Sequence, residues 1–250
     1  MHALTLQLLV PIMVQVSAAA EERTYDIAGV QRQATIILPA TPKGAPVVFC
    51  FHGHGGNRRQ ARRSFGFEKQ WPEAIVVYME GLPTKGRTDP QGLRNGWQKN
   101  KGEEGDRDLA FFDAVFEDLT KSYRISPSKT FAMGHSNGGR FTYLLWEQRP
   151  DRFAAFGPSA SPGILMKLPA KPAFIIAGEK DELVTFAGQQ ATMRQVLRTN
   201  GITGSGEKGE GHLTRYAGKN PVQTWVHPGG HRFATDAVPA MAKFFREIAK

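Results

Sequence analysis

The sequence predicts an α/β fold: a mostly parallel central sheet, helices on both faces, and an antiparallel hairpin at the N-terminal edge. Three observations predict it. Continuous apolar runs of strand length occur at residues 46–51, 74–78, 130–133 and 173–177, as strands buried on both faces require. Helical apolar patterns lie between and after them, at 106–123, 140–149, 184–198 and 238–248. Glycine and proline, 27 and 16 of the 250 residues, are enough for many strand-to-helix turns. The length suits one domain, and 40% hydrophobic content suffices for its core.

The first 20 residues stand apart. They contain no Lys, Arg, Asp or Glu and are mostly apolar from Leu4 to Val16. The run is too short to span a bilayer, and Ala18 and Ala20 suit signal peptidase. Residues 1–20 therefore read as a signal peptide and 21–250 as a single catalytic domain of a secreted or periplasmic protein, with no stable membrane anchor after cleavage. Cys50 is the single cysteine, so no internal disulfide is possible, and its place in an apolar run makes it a small buried residue.

Residues 24–27 and 33–38 alternate in polarity around Gly29 and read as the edge hairpin. Residues 46–51 are a central strand. The glycine-rich His52-Gly53-His54-Gly55-Gly56 follows, then a basic helical stretch to about Gln70. Residues 74–78 are the next strand. Residues 81–105 form a long polar loop containing Trp97, which either walls a substrate pocket or pins the loop to the core. In the helix at 106–123, Leu109, Phe112, Val115, Phe116 and Leu119 share a face, and Asp106 or Asp108 is placed to cap its start. Residues 153–156 read as a strand. Asn200-Gly201 ends the helix at 184–198, residues 202–211 read as a loop, and 222–227 as the last strand.

The chemistry centres on Gly134-His135-Ser136-Asn137-Gly138-Gly139, between a strand and a helix. A turn this sharp excludes a Cβ two residues before or after the serine. It holds Ser136 in a strained conformation with its hydroxyl exposed, the nucleophile elbow of an α/β-hydrolase fold. A serine hydroxyl needs a base, and the base an orienting carboxylate, in the chain order Ser, acid, His. Asp181, after the strand at 173–177, is the expected acid, with Glu179 and Glu182 as local rivals. His231, after Gly229-Gly230, is the expected base; His135 is expected to point away from that role. The backbone N–H groups of His54 and Asn137 are the expected oxyanion hole. A metal site at His52, His54, His227 and His231 lacks a suitably spaced carboxylate. No metal or cofactor is expected.

The net charge of +9 favours anionic ligands, and Arg58, Arg59, Arg62 and Arg63 form one cluster at helical spacing, expected to draw acidic substrates toward the pocket. Basic residues interleaved with stacking aromatics are missing, which argues against a nucleic-acid partner.

The oxyanion stretch, Gly105-Asp106-Arg107-Asp108, the elbow, Asp181 after Gly178, and Gly229-Gly230-His231 together resemble the polyhydroxybutyrate depolymerase/feruloyl esterase-like family, which is related to the family-1 carbohydrate esterases. The resemblance runs from about Tyr25 to the C-terminus. It implies a secreted serine esterase acting on hydroxyacyl, feruloyl, aryl or acetyl-sugar esters, small or oligomeric. His54 stands where family members often carry cysteine, and Phe233 where they often carry tryptophan. A peptidase or acyltransferase on the same triad, or a non-catalytic binding protein on the same scaffold, are the alternatives.

Overall fold

The structure, a computed structural model, describes residues 19–163 and 166–250. Most of the predicted signal peptide, residues 1–18, lies outside them. No helix among the described residues is long and apolar enough to cross a membrane.

The strands are β1 (Ala19–Ile27), β2 (Val30–Leu38), β3 (Val47–Phe51), β4 (Ile75–Met79), β5 (Leu82–Pro83), β6 (Asn95–Gly96), β7 (Thr130–His135), β8 (Ala155–Ser159), β9 (Ala173–Gly178), β10 (Glu207–Lys208), β11 (Leu213–Tyr216) and β12 (Val222–His227). The helices are α1 (Arg58–Phe65), α2 (Phe67–Gln70), α3 (Arg107–Tyr123), α4 (Asn137–Gln148), α5 (Phe186–Thr199) and α6 (Val238–Ile248). Ten strands form one sheet in the order β1-β2-β4-β3-β7-β8-β9-β12-β11-β10. Its centre, from β4 through β3, β7, β8 and β9 to β12, is parallel. The β1–β2 hairpin is antiparallel and joins through β2 to β4. This is the α/β-hydrolase architecture that the sequence predicts.

Strand β3 shows why the runs are continuous. Val47, Phe49 and Phe51 point into a core with α3, α4 and α5. Val48 and Cys50 point into a second core with α1, α2 and α6. A strand buried on both faces has no polar position to spare.

Two expectations are corrected. The loop predicted at 202–211 contains β10, and β11 follows it, so an antiparallel ribbon extends the far edge. Neither carboxylate caps α3 from its side chain. Asp106 has φ of 57°, which turns its carboxylate back to accept from the Gly102 amide and Gln98 Nε2. Asp108 is fully buried against Arg32, at 2.8 Å. The amides of Asp108 and Leu109 donate instead to Gln98 Oε1, at 3.1 and 3.3 Å. A glutamine ten residues away in sequence closes the helix start.

Candidate active site

Ser136 sits between β7 and α4 with φ 56° and ψ −118°, a backbone state rare for any residue with a side chain. Its amide donates to Ser159 O at 2.9 Å. A Cβ on Gly134 would strike the Gly138 carbonyl, and one on Gly138 would strike the carbonyl oxygens of Phe51 and His52. The glycines are therefore needed for close approach: they let α4 start directly over the ends of β3 and β7.

Asp181 follows β9 and is 6% exposed, whereas Glu179 and Glu182 are exposed. Its Oδ1 accepts from the Leu183 and Val184 amides at 3.0 and 2.8 Å, and its Oδ2 from Gln189 Nε2 at 3.0 Å. His231 Nδ1 lies 2.8 Å from Asp181 Oδ2 and 3.0 Å from Oδ1. His231 Nε2 lies 2.8 Å from Ser136 Oγ. A carboxylate on Nδ1 fixes the proton there and leaves Nε2 to accept from the serine. The turn before His231 uses close approach rather than unusual φ. Neither Gly229 nor Gly230 has a positive φ, but a Cβ on Gly178 would press on both their carbonyl oxygens.

His135 lines the same cavity as Ser136 but bonds elsewhere, with Nδ1 3.2 Å from Ser159 Oγ. Burial, then the neighbouring His231, pushes its pKa down to about 4, so its ring is neutral. His52 is 2% exposed. Its Nε2 accepts from the Gly81 amide at 2.9 Å, so Nδ1 carries the proton and donates to Gly53 O. Both ring nitrogens of His52 and of His231 are thus engaged in hydrogen bonds and are not free to bind a metal.

The His54 and Asn137 amides have no protein acceptor among the hydrogen bonds of the described residues. His54 and Ser136 line both cavities at the site. His54 Nε2 is 3.0 Å from Asp89 Oδ2. Although burial works against it, bonds from the Arg94 and Leu93 amides and the His54 ring hold the Asp89 carboxyl below its ordinary range. Asp89 thereby anchors the glycine-rich stretch at 52–56. It and Gln189 are supporting residues that sequence reasoning missed; no motif marks either one.

Trp97 is placed differently from the pocket-wall expectation. It is fully buried, stacks on Phe141 at 5.3 Å, and donates from Nε1 to His52 O at 2.9 Å. Its amide donates to Asn137 Oδ1 at 2.7 Å, and Asn137 Nδ2 donates back to its carbonyl at 2.9 Å. It pins the 81–105 loop to the elbow. The phenyl rings at the cavity are Phe65 and Phe233, packed on each other at 4.6 Å.

Two cavities meet at Ser136. One, about 210 Å³, lies toward Gln60, Ser64 and Phe233; the other, about 330 Å³, lies toward Arg140, Pro162 and Leu183. A larger cavity of about 460 Å³ lies between β12 and α6, remote from the three side chains. None of Arg58, Arg59, Arg62 and Arg63 lines either cavity at Ser136. Arg58 pairs with Glu22 and Glu80, and Arg62 with Glu68.

The putative esterase NocK of Nocardia uniformis subsp. tsuyamanensis is 31% identical over 185 residues, which cover 70% of this chain and 49% of that protein. The probable feruloyl esterase C of Aspergillus niger is 29% identical over 153 residues, 57% of this chain and 55% of that one. The chain has the α/β-hydrolase fold and is similar in sequence to feruloyl esterases. It spans about half the length of these two relatives. A bifunctional acetylxylan esterase/xylanase, XynS20E of Neocallimastix patriciarum, is 27% identical over 164 residues, 63% of this chain and 22% of that protein. A family model described as the prolyl oligopeptidase family matches residues 91–166, the segment that contains the elbow. Among solved structures, a ferulic acid esterase superposes with a TM-score of 0.65 at 17% identity, covering 93% of this chain and 99% of that one. A Bacillus cereus carboxylesterase superposes with 0.62 at 16%, covering 87% and 94%. At such identities the likeness is one of fold.

Proposed function

We propose that this feruloyl esterase-like protein is an exported serine esterase. The observation that carries the reading is the His231 imidazole, 2.8 Å from Ser136 Oγ on one side and 2.8 Å from Asp181 on the other. His231 takes the serine proton as Oγ attacks the ester carbonyl carbon. The oxyanion that forms is held by the His54 amide, in the loop after β3, and by the Asn137 amide at the start of α4. The tetrahedral intermediate collapses, the C–O bond to the alcohol breaks, and His231 returns the proton to the leaving oxygen. Water repeats the sequence on the acyl-enzyme and frees the acid and Ser136. Asp181 holds the imidazole through Nδ1.

Cavities on two sides of Ser136 suit a bond with substituents at both ends. Hydroxyacyl oligoesters, feruloyl or aryl esters and acetylated sugars are the proposed substrates. The test is hydrolysis of p-nitrophenyl acetate, methyl ferulate and short 3-hydroxybutyrate oligomers. Ser136→Ala should lower turnover by about 10⁴–10⁶ and abolish labelling by an organophosphate. Unchanged turnover in that variant removes the nucleophile. The prolyl oligopeptidase match favours one second reading, a peptidase. Cleavage of peptide p-nitroanilides faster than any ester would select it.

A further inference from the structure

Positive charge collects beside Ser136 from residues that are scattered in sequence. Lys85, Arg87 and Lys99 come from the 81–105 loop and Arg140 from the first turn of α4. All four line the 330 Å³ cavity that opens on Ser136, His231 and His54. No acidic side chain lines it.

The partners of these cations are neutral. Arg87 donates to Leu183 O at 2.6 Å, and Lys99 Nζ to Lys85 O at 3.4 Å. Arg140 donates to Pro162 O at 3.3 Å and to Asn100 Oδ1 at 2.7 Å. None of the four makes an ion pair among the described residues, whereas Arg23, Arg32, Arg58, Arg62 and Arg149 all do. Nearby carboxylates are otherwise engaged. Asp89 is tied to His54 and Arg94, Glu103 accepts from the Lys99 and Asn100 amides, and Glu147, which with Glu103 acts on Arg140 from a distance, accepts from the Lys167 amide. Arg140 is half-buried, and burial pulls its pKa down from the ordinary arginine value. A desolvated guanidinium with only neutral acceptors is held at a cost that a bound anion would offset.

We propose that this cleft is an anion subsite, and that the substrate is an ester carrying a carboxylate on the part lying toward Lys85, Arg87, Lys99 and Arg140. The proposal rests on Ser136 being an esterase nucleophile. Pro162, Leu183 and Val184 add an apolar wall, which suits an aromatic or short aliphatic acid. The volume is at the lower end of small-ligand sites, roughly 300–1,000 Å³. The attraction replaces the one expected of the α1 arginines, two of which are already neutralised by glutamates.

The experiment compares esters of one shape with and without the charge. Para-acetoxybenzoate and its methyl ester place the anion on the alcohol side. The p-nitrophenyl monoester of adipic acid and its methyl-capped form place it on the acyl side. At low salt, kcat/KM for the anionic member of one pair should exceed that of its neutral partner by about tenfold or more, through charge-assisted hydrogen bonds. The preference should shrink as ionic strength rises. Lys85→Gln combined with Arg87→Gln, both exposed positions, should cut the anionic-to-neutral ratio by about tenfold. The pair that responds tells which end of the ester enters the cleft. Equal kcat/KM within both pairs, with the neutral esters still hydrolysed, overturns the proposal and leaves the esterase reading standing. If no ester is hydrolysed, the esterase reading fails first. Calorimetry of para-hydroxybenzoate binding to Ser136→Ala then reads the cleft directly: binding that the double substitution weakens supports the subsite, and no binding overturns it.

Discussion

Replacing Asp181 with asparagine tests the geometry at its most buried point. Two amides, from Leu183 and Val184, donate to Oδ1 at 3.0 and 2.8 Å, so the asparagine carbonyl oxygen is held on their side. The amide nitrogen then occupies the Oδ2 place, facing His231 Nδ1 and Gln189 Nε2. An NH₂ group donates, so His231 Nδ1 must accept, and the ring proton moves to Nε2. At 2.8 Å from Ser136 Oγ, Nε2 then donates to the serine and is unable to take its proton. A reversed tautomer of this kind lowers kcat by about 10⁴ in serine hydrolases, which is about 5.5 kcal/mol of barrier. The donor-to-donor contact with Gln189 should also cost about 1–3 kcal/mol of stability. The assay is single-turnover hydrolysis of p-nitrophenyl acetate, with a urea melt to show that the variant is folded. A folded Asp181→Asn protein that loses less than tenfold in kcat refutes the tautomer argument and the role given to Asp181.

His135 predicts a pH dependence of stability. Its folded pKa is lowered to about 4 from an ordinary 6.5, so between those values the unfolded chain binds the extra proton. The stabilisation is fully present above about pH 6.5 and is lost as pH falls toward 4. It amounts to about 2–3 kcal/mol after allowance for partial solvent access. His135→Gln should flatten the slope of urea stability between pH 4.5 and 7; an unchanged slope refutes it. Asn137→Ala removes both bonds to the Trp97 backbone but keeps the Asn137 amide. Tm should fall by roughly 4–8 °C for about 2 kcal/mol, while kcat on an acetyl ester falls less than tenfold. A kcat loss near that of a missing oxyanion donor, about 10²–10³, would mean the side chain itself acts on the reacting atoms.

The sequence by itself determined the strands of the parallel sheet, the elbow and the chain order of Ser136, Asp181 and His231. Those features rest on short-range rules: which residues fit a strand buried on both faces, and which backbone turns exclude a Cβ. The clash of a Cβ on Gly138 with the Phe51 and His52 carbonyls is a local necessity of any such turn, so glycine spacing reveals it. Only the tertiary structure decided what depends on groups meeting through space. Gln98 takes over the start of α3 because left-handed backbone at Asp106 turns its carboxylate away. Trp97 is a pin because Phe141 and His52 O happen to lie beneath it. Arg58 and Arg62 look free in sequence but meet Glu22, Glu80 and Glu68, while Lys85, Arg87, Lys99 and Arg140 gather with no carboxylate among them. Charge pairing falls off with distance in space and takes no account of distance along the chain, so the cationic wall of the cleft emerges only when the chain is folded.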